Sequence, residues 1–102
     1  MAQSLKEEIV EHMFRNLLDI MVLKLIQGEA TWGYKMMKTV EGKYVIKLRH
    51  GALYPLLNSL ERNGFIESKK YTKKGRVRKV YEITSKGIQF INTYNEFLQE
   101  QI

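Results

Sequence analysis

One stretch, residues 50–64, constrains the rest of the chain. Leu53, Leu56, Leu57 and Leu60 repeat at helical spacing within it, and Gly64 closes it. At about 100° per residue, Leu53, Leu57 and Leu60 share one face, while Gly51, Pro55, Asn58 and Arg62 share the other. Glycine adopts the left-handed conformation that ends a helix at little cost. Residues 50–63 therefore predict a helix that is greasy behind and small, then polar, in front. Such a helix is either an ordinary core helix with a solvated back or one anchored from behind so that its front can enter a groove. Pro55 removes a backbone hydrogen bond to the carbonyl of Gly51, so the helix is expected to be distorted or to begin late.

The segments on either side are predicted from the same periodicities. Residues 4–27 predict one long helix, bent at most. Leu5, Ile9, Met13, Leu17, Ile20 and Met21 form its stripe, and Ser4 with Glu7 forms a capping box. Its second half is wide enough for a core. Its first half is a narrow stripe that needs a partner. Thr31 is a candidate cap for a second helix over 32–42, with Tyr34, Met36, Met37 and Val40 inward, Lys35 and Lys38 outward, and Gly42 at its end. Residues 43–49 alternate and suit a short strand or an extended linker. Residues 65–71 and 76–83 predict two strands, with Thr72-Lys73-Lys74-Gly75 as the turn. A last helix over 85–101, capped by Thr84 or Ser85, carries Ile88, Ile91, Tyr94, Leu98 and Ile102, with little chain left to cover them. Three helices, a hairpin and a helix make a mainly α domain with a small β-hairpin. That order is a winged helix-turn-helix, with residues 50–63 in the recognition position and 65–83 as the wing.

Charge assigns the front of this arrangement. The 102 residues carry a net charge of +6. The hairpin alone holds Lys69, Lys70, Lys73, Lys74, Arg76, Arg78 and Lys79, more than the whole net charge. Like charges so dense repel one another unless a polyanion neutralises them, and DNA phosphates do so with release of counterions. Lysines on an edge strand also discourage sheet-to-sheet aggregation, which is the plainer explanation, but one or two would suffice for that. On the recognition helix, Asn58 can pair with adenine, Arg62 with guanine or a phosphate, and Ser59 with either. Arg62 could instead serve only the helix C-terminus. Arg49 and His50 add donors just before the helix, or are simply loop. Lys35, Lys38 and Tyr54 complete the set of candidate contacts, with Lys73, Lys74, Arg76 and Arg78 on the wing.

Other chemistries are excluded or have no residues to carry them. There is no cysteine, so disulfides, thiolate metal sites and thiol catalysis are out. His12 and His50 lie on separate elements, and no catalytic or phosphate-cradling motif occurs, so neither an enzyme nor a cofactor is expected. The five methionines suit core filling, and Trp32 is assigned to the core in preference to a flat apolar ligand site. The longest apolar run, Ile20–Ile26, is broken by Lys24 and is far below the roughly 20 residues of a membrane span. With no signal peptide visible, a soluble cytoplasmic protein with no membrane partner is expected.

Two motifs carry a family resemblance. The run Gly51-Ala52-Leu53-Tyr54-Pro55-Leu56-Leu57-Asn58-Ser59-Leu60-Glu61-Arg62-Asn63-Gly64-Phe65-Ile66 resembles the G-T-L-Y-P-x-L-x-x-L-E-x-x-G-x-I signature of PadR-type transcriptional regulators. Gly75-Arg76-Val77-Arg78-Lys79-Val80-Tyr81-Glu82-Ile83-Thr84-Ser85-Lys86-Gly87 is similar to their wing, and Gly33-Tyr34 to the start of their second helix. Ala52 and Arg49 depart from the family's usual threonine and its usual serine or asparagine cap. The resemblance implies a homodimeric repressor that binds double-stranded DNA at a pseudo-palindromic operator. Its first and last helices would make the dimer interface, here Leu5, Ile9, Met13, Ile91, Tyr94 and Leu98, and the short tail resembles the subgroup with one C-terminal helix. Some relatives bind flat aromatic effectors between subunits; here the last helix offers Phe90, Tyr94 and Phe97 but no tryptophan. The residues alone leave open a winged-helix module for a small molecule or protein, or an architectural protein that coats DNA through charge.

Overall fold

The structure is a computed structural model that describes residues 4–44 and 50–102, without the side chains of 14–16, 44 and 50. Its elements run α1 (Leu5–Asn16), α2 (Leu18–Gly28), β1 (Thr31–Trp32), α3 (Gly33–Tyr44), α4 (His50–Arg62), β2 (Ile66–Lys73), β3 (Arg76–Ile83) and α5 (Ser85–Glu100). The strands form one antiparallel sheet in the order β1-β3-β2. The molecule is thus mainly helical with a small sheet, a winged helix-turn-helix.

The helix expected over 4–27 is two helices. Ser4 does cap the first, accepting the Glu7 amide at 3.2 Å. Leu17 then leaves helical dihedrals, at φ −125° and ψ 27°. Beyond it, Ile20, Val22, Leu23 and Ile26 bury in the core, whereas Leu5 (72% exposed), Ile9 and Met13 on α1 stay in solvent. The second half packs into the core and the first does not, and the break at Leu17 separates them.

Thr31 does not cap α3. It is buried in β1 opposite Tyr81, with Trp32 opposite Val80. The α3 helix runs two residues past Gly42, and Lys43 and Tyr44, expected in an extended segment, complete it. Residues 45–49, the rest of that segment, lie outside the described residues. Met36, Met37 and Val40 bury together. Tyr34, expected beside them, is 57% exposed, because at ~100° per residue it falls roughly 60° beyond Met37.

The α4 helix passes through Pro55 without a break. Pro55 and Gly51 are both exposed, so water can take the bond that proline cannot make. Leu53, Leu57 and Leu60 are buried against α2, α3 and the sheet in one core. The helix ends in a Schellman motif. Gly64 sits at φ 82°, its amide reaches the Glu61 carbonyl, and the Phe65 amide reaches that of Leu60, both at 3.0 Å.

The hairpin turn is tighter than the four residues expected. Strand pairing runs out to Lys73 opposite Arg76, leaving Lys74 and Gly75 as a two-residue loop. Both have positive φ, 52° and 75°, the signature of the turn whose twist matches antiparallel strands. Thr84 then caps α5, its Oγ1 accepting the Gly87 amide at 3.1 Å and donating to the Gly64 carbonyl at 2.7 Å. Lys86 Nζ donates to the Asn63 carbonyl at 2.8 Å. The start of α5 is thereby tied to the end of α4. Ile91, expected on an outward stripe, is 2% exposed and part of the core, because α5 packs that side against α2 and the sheet. Ile91 thus belongs to the protomer's own core and, contrary to expectation, presents no surface to a dimer interface. Leu98 and Phe97 remain exposed, and Tyr94 is half-buried.

Candidate nucleic-acid interface

Strand pairing sorts the wing's side chains onto two faces. Residues directly opposite one another share a face, and the faces alternate along each strand. Ile66, Ser68, Lys70, Thr72, Val77, Lys79, Tyr81 and Ile83 lie on the side of the core and α4. Lys69, Tyr71, Lys73, Arg76, Arg78 and Val80 lie on the other, which is joined by Trp32. Most of the cations therefore stand on the outer face or at the turn. All wing residues from Lys69 to Arg78 are exposed.

Trp32 is not a core residue. It is half-buried, and Arg78 lies over its ring with Cζ 4.8 Å from the centroid. Lys35 Nζ is 5.3 Å from the same ring. A cation over an indole is attracted by the ring's quadrupole, by about 0.5–1 kcal/mol where both are open to water. The tryptophan is thus a platform beneath Arg78, which stands opposite Tyr71 on the exposed part of the wing.

Between β3, the start of α3 and α4 runs a groove of about 620 Å³, lined by Tyr34, Tyr54, Asn58, Lys79 and Tyr81 and, from the other face of β3, by Trp32, Arg76 and Arg78. Gly33 forms its floor. A Cβ there would lie 2.6 Å from the Tyr54 hydroxyl, so Tyr54 occupies the space that a side chain would need. Asn58 opens into the groove, and Arg62 is exposed at the end of α4. Ser59 is half-buried, and Asn63 Nδ2 donates to its carbonyl at 2.9 Å. Two other predicted contacts are already engaged. Lys35 pairs with Glu29 at 3.1 Å, and Lys38 lies 3.8 Å from Glu41 and 5.5 Å from the Tyr34 ring centroid. Arg49 and the His50 side chain lie outside the described residues.

One cluster at this site has no local sequence signature. Glu61, on α4, accepts the Ser68 hydroxyl from β2 through Oε2. Its Oε1 pairs with Lys79 Nζ from β3 at 3.1 Å. The Ser68 hydrogen bond chiefly holds the Glu61 carboxyl below its ordinary value, with Lys79 adding to it against the cost of burial. The Glu61 hydrogen bond raises the Lys79 ammonium above its ordinary value. Burial pushes the neighbouring Tyr81 phenol up.

These directions fix a pH dependence. The folded Glu61 holds its proton less tightly than the unfolded one. Its contribution is therefore complete above the ordinary 4.5 and is lost as pH falls through the folded value. Lys79 behaves oppositely. Its contribution is complete below the ordinary 10.5 and is lost as pH rises past the folded value. Urea midpoints should be level near neutrality and decline at both extremes. Glu61→Gln should flatten the acid limb; an unchanged acid limb would contradict the assignment.

Among the described residues, no three histidines, aspartates or glutamates gather as a metal site, and no helix is long and apolar enough to cross a membrane. The Transcriptional regulator PadR-like family matches residues 22–93. The chain belongs to that family. An uncharacterized protein of Methanocaldococcus jannaschii, MJ0432, is 33% identical over 88 residues, spanning 85% of this chain and 90% of that protein. A transcriptional regulator from Clostridium thermocellum superposes with a TM-score of 0.77 at 25% identity, over 88% of this chain and 90% of that one. A PadR family regulator from Eggerthella lenta shares the fold, with a TM-score of 0.80 at 24% identity, over 92% and 82% of the two chains. As a PadR-like regulator, the protein is a DNA-binding transcriptional regulator and not an enzyme.

Proposed function

We propose that this PadR-like regulator is a cytoplasmic homodimeric repressor that straddles a pseudo-palindromic operator. The front of α4, with Asn58 and Arg62, enters the major groove, and the wing follows phosphate or the minor groove. The observation that carries this reading is the pairing of a solvent-facing Asn58 with the cation-bearing wing across one groove. Leu5, Ile9 and Met13 on α1 and Leu98 on α5 are exposed apolar side chains, and a second copy is the cover that suits them. A crevice of about 320 Å³ bordered by Met13, Leu17, Met21, Tyr94 and Leu98 lies beside those same residues. It offers a flat aromatic effector a place from which to release the dimer from DNA.

Selection of bound fragments from the host genome tests this. The expected consensus has two inverted half-sites about 34 Å apart, one turn of the duplex. Asn58→Ala should relax preference at one position of each half-site, by roughly 1–3 kcal/mol of discrimination. A consensus without inverted symmetry would overturn the dimeric reading, and no consensus at all would favour charge-driven coating.

A further inference from the structure

Glu61 lies next to Arg62 on α4 but does a different job. Its carboxylate grips both strands of the hairpin, Ser68 through one oxygen and Lys79 through the other. Both partners lie on the hairpin face turned toward α4, between the buried root at Ile66 and the cationic tip. We propose that Glu61 is a positioning residue for DNA recognition, a clamp that fixes the wing's angle to α4 and keeps the Lys79 charge from phosphate. This rests on the reading that α4 and the wing engage the same duplex.

The lever arm gives the clamp its importance. From Ser68 to Lys74 the strand extends roughly 20 Å, at about 3.3 Å per residue. A tilt of about 10° at the clamp therefore moves the tip by more than 3 Å, the length of a hydrogen bond. A two-stranded ribbon has little rigidity of its own. Beyond Lys79, the cations at 69, 70, 73, 74, 76 and 78 project from it into solvent. Without a fixed angle these cations could still find phosphates, but not those in register with the bases under Asn58. Pairing with Glu61 also neutralises Lys79, so six of the wing's seven cations remain for DNA.

Two duplexes test the proposal: the top-ranked fragment from the genome selection and a scrambled duplex of the same length and composition. Glu61→Ala should weaken the selected duplex about tenfold while strengthening the scrambled one, because the freed Lys79 joins the phosphate contacts. The slope of log affinity against log salt on the scrambled duplex should steepen by about 0.9 per protomer. Glu61→Gln keeps the bulk and can still accept the Ser68 hydroxyl. It should steepen that slope while retaining more of the preference. Lys79→Met should leave the scrambled-duplex slope unchanged, whereas Lys74→Ala should flatten it. If Glu61→Ala lowers both affinities by one factor at constant slope, its role is merely structural and the proposal fails. It fails equally if Lys79→Met flattens the slope as much as Lys74→Ala. A wild-type protein that does not separate the two duplexes overturns the underlying reading instead.

Discussion

Gly87→Ala is expected to cost this fold about 3 kcal/mol or more, the upper part of the range for overpacking. A Cβ at residue 87 would run into the Phe65 carbonyl oxygen and lie 2.7 Å from Ile83 Cγ1. The carbonyl belongs to the backbone and cannot swing aside. It also accepts the Thr84 amide at 3.1 Å, so moving it breaks the junction of hairpin and α5. For a domain of about this size each kcal/mol shifts Tm by roughly 4–8 °C. Calorimetry should therefore show a fall of about 12 °C or more. Gly42→Ala supplies the control. Nothing lies within 4 Å of a Cβ there, and the residue is inside α3. It should be neutral or gain up to about 1 kcal/mol from helix propensity. If the two variants melt together, α5 is not seated against Phe65 as described.

The contrast between those glycines shows what a sequence of this kind reveals and what it hides. Gly64 and Gly75 announce themselves, because each follows a periodic segment at the point where the chain must turn. Both have positive φ in the structure. Gly42 looks like the same kind of stop, but α3 carries on through it. The apolar repeat at Leu53, Leu57 and Leu60 named the buried face of α4 correctly. The break at Leu17 has no such signal, because no glycine or proline marks it and both halves keep their stripes. β1 was illegible for another reason. Two residues have no period, and Thr31 and Trp32 become a strand only because β3 offers its edge. Ile91 shows the limit of reading outward faces. Its stripe continues to Leu98, and only the packing of α5 decides where burial stops.

The candidate interface divides along the same line. The exposure of Asn58, Arg62 and the cations from Lys69 to Arg78 is legible in the sequence, because it follows from each residue and its periodic neighbours. Trp32 beneath Arg78 and the Glu61–Ser68–Lys79 cluster are not, since each joins side chains from elements distant in sequence. Lys79 looks like one more wing cation until its partner on α4 is seen.

Affinity for DNA should fall about a thousandfold between 50 and 200 mM salt for each bound protomer, the loss for roughly six neutralised phosphates, and about a millionfold for two. The wing supplies the charges: Lys69, Lys70, Lys73, Lys74, Arg76 and Arg78 are all exposed, and the described structure places Arg76 and Arg78 on one face of β3. Replacing both arginines by alanine removes two phosphate contacts per protomer. At about 0.9 per phosphate, the log–log slope should flatten by about 1.8 for one bound protomer and about 3.6 for two. Both the selected and the scrambled duplex should lose affinity, because phosphate contacts carry no sequence information of their own. The size of the flattening thus counts the protomers on the duplex while it tests the wing. A titration across four salt concentrations measures it. A change in slope below about 1 would mean that the arginines do not face phosphate, and the hairpin's charge would then be only a solvated edge.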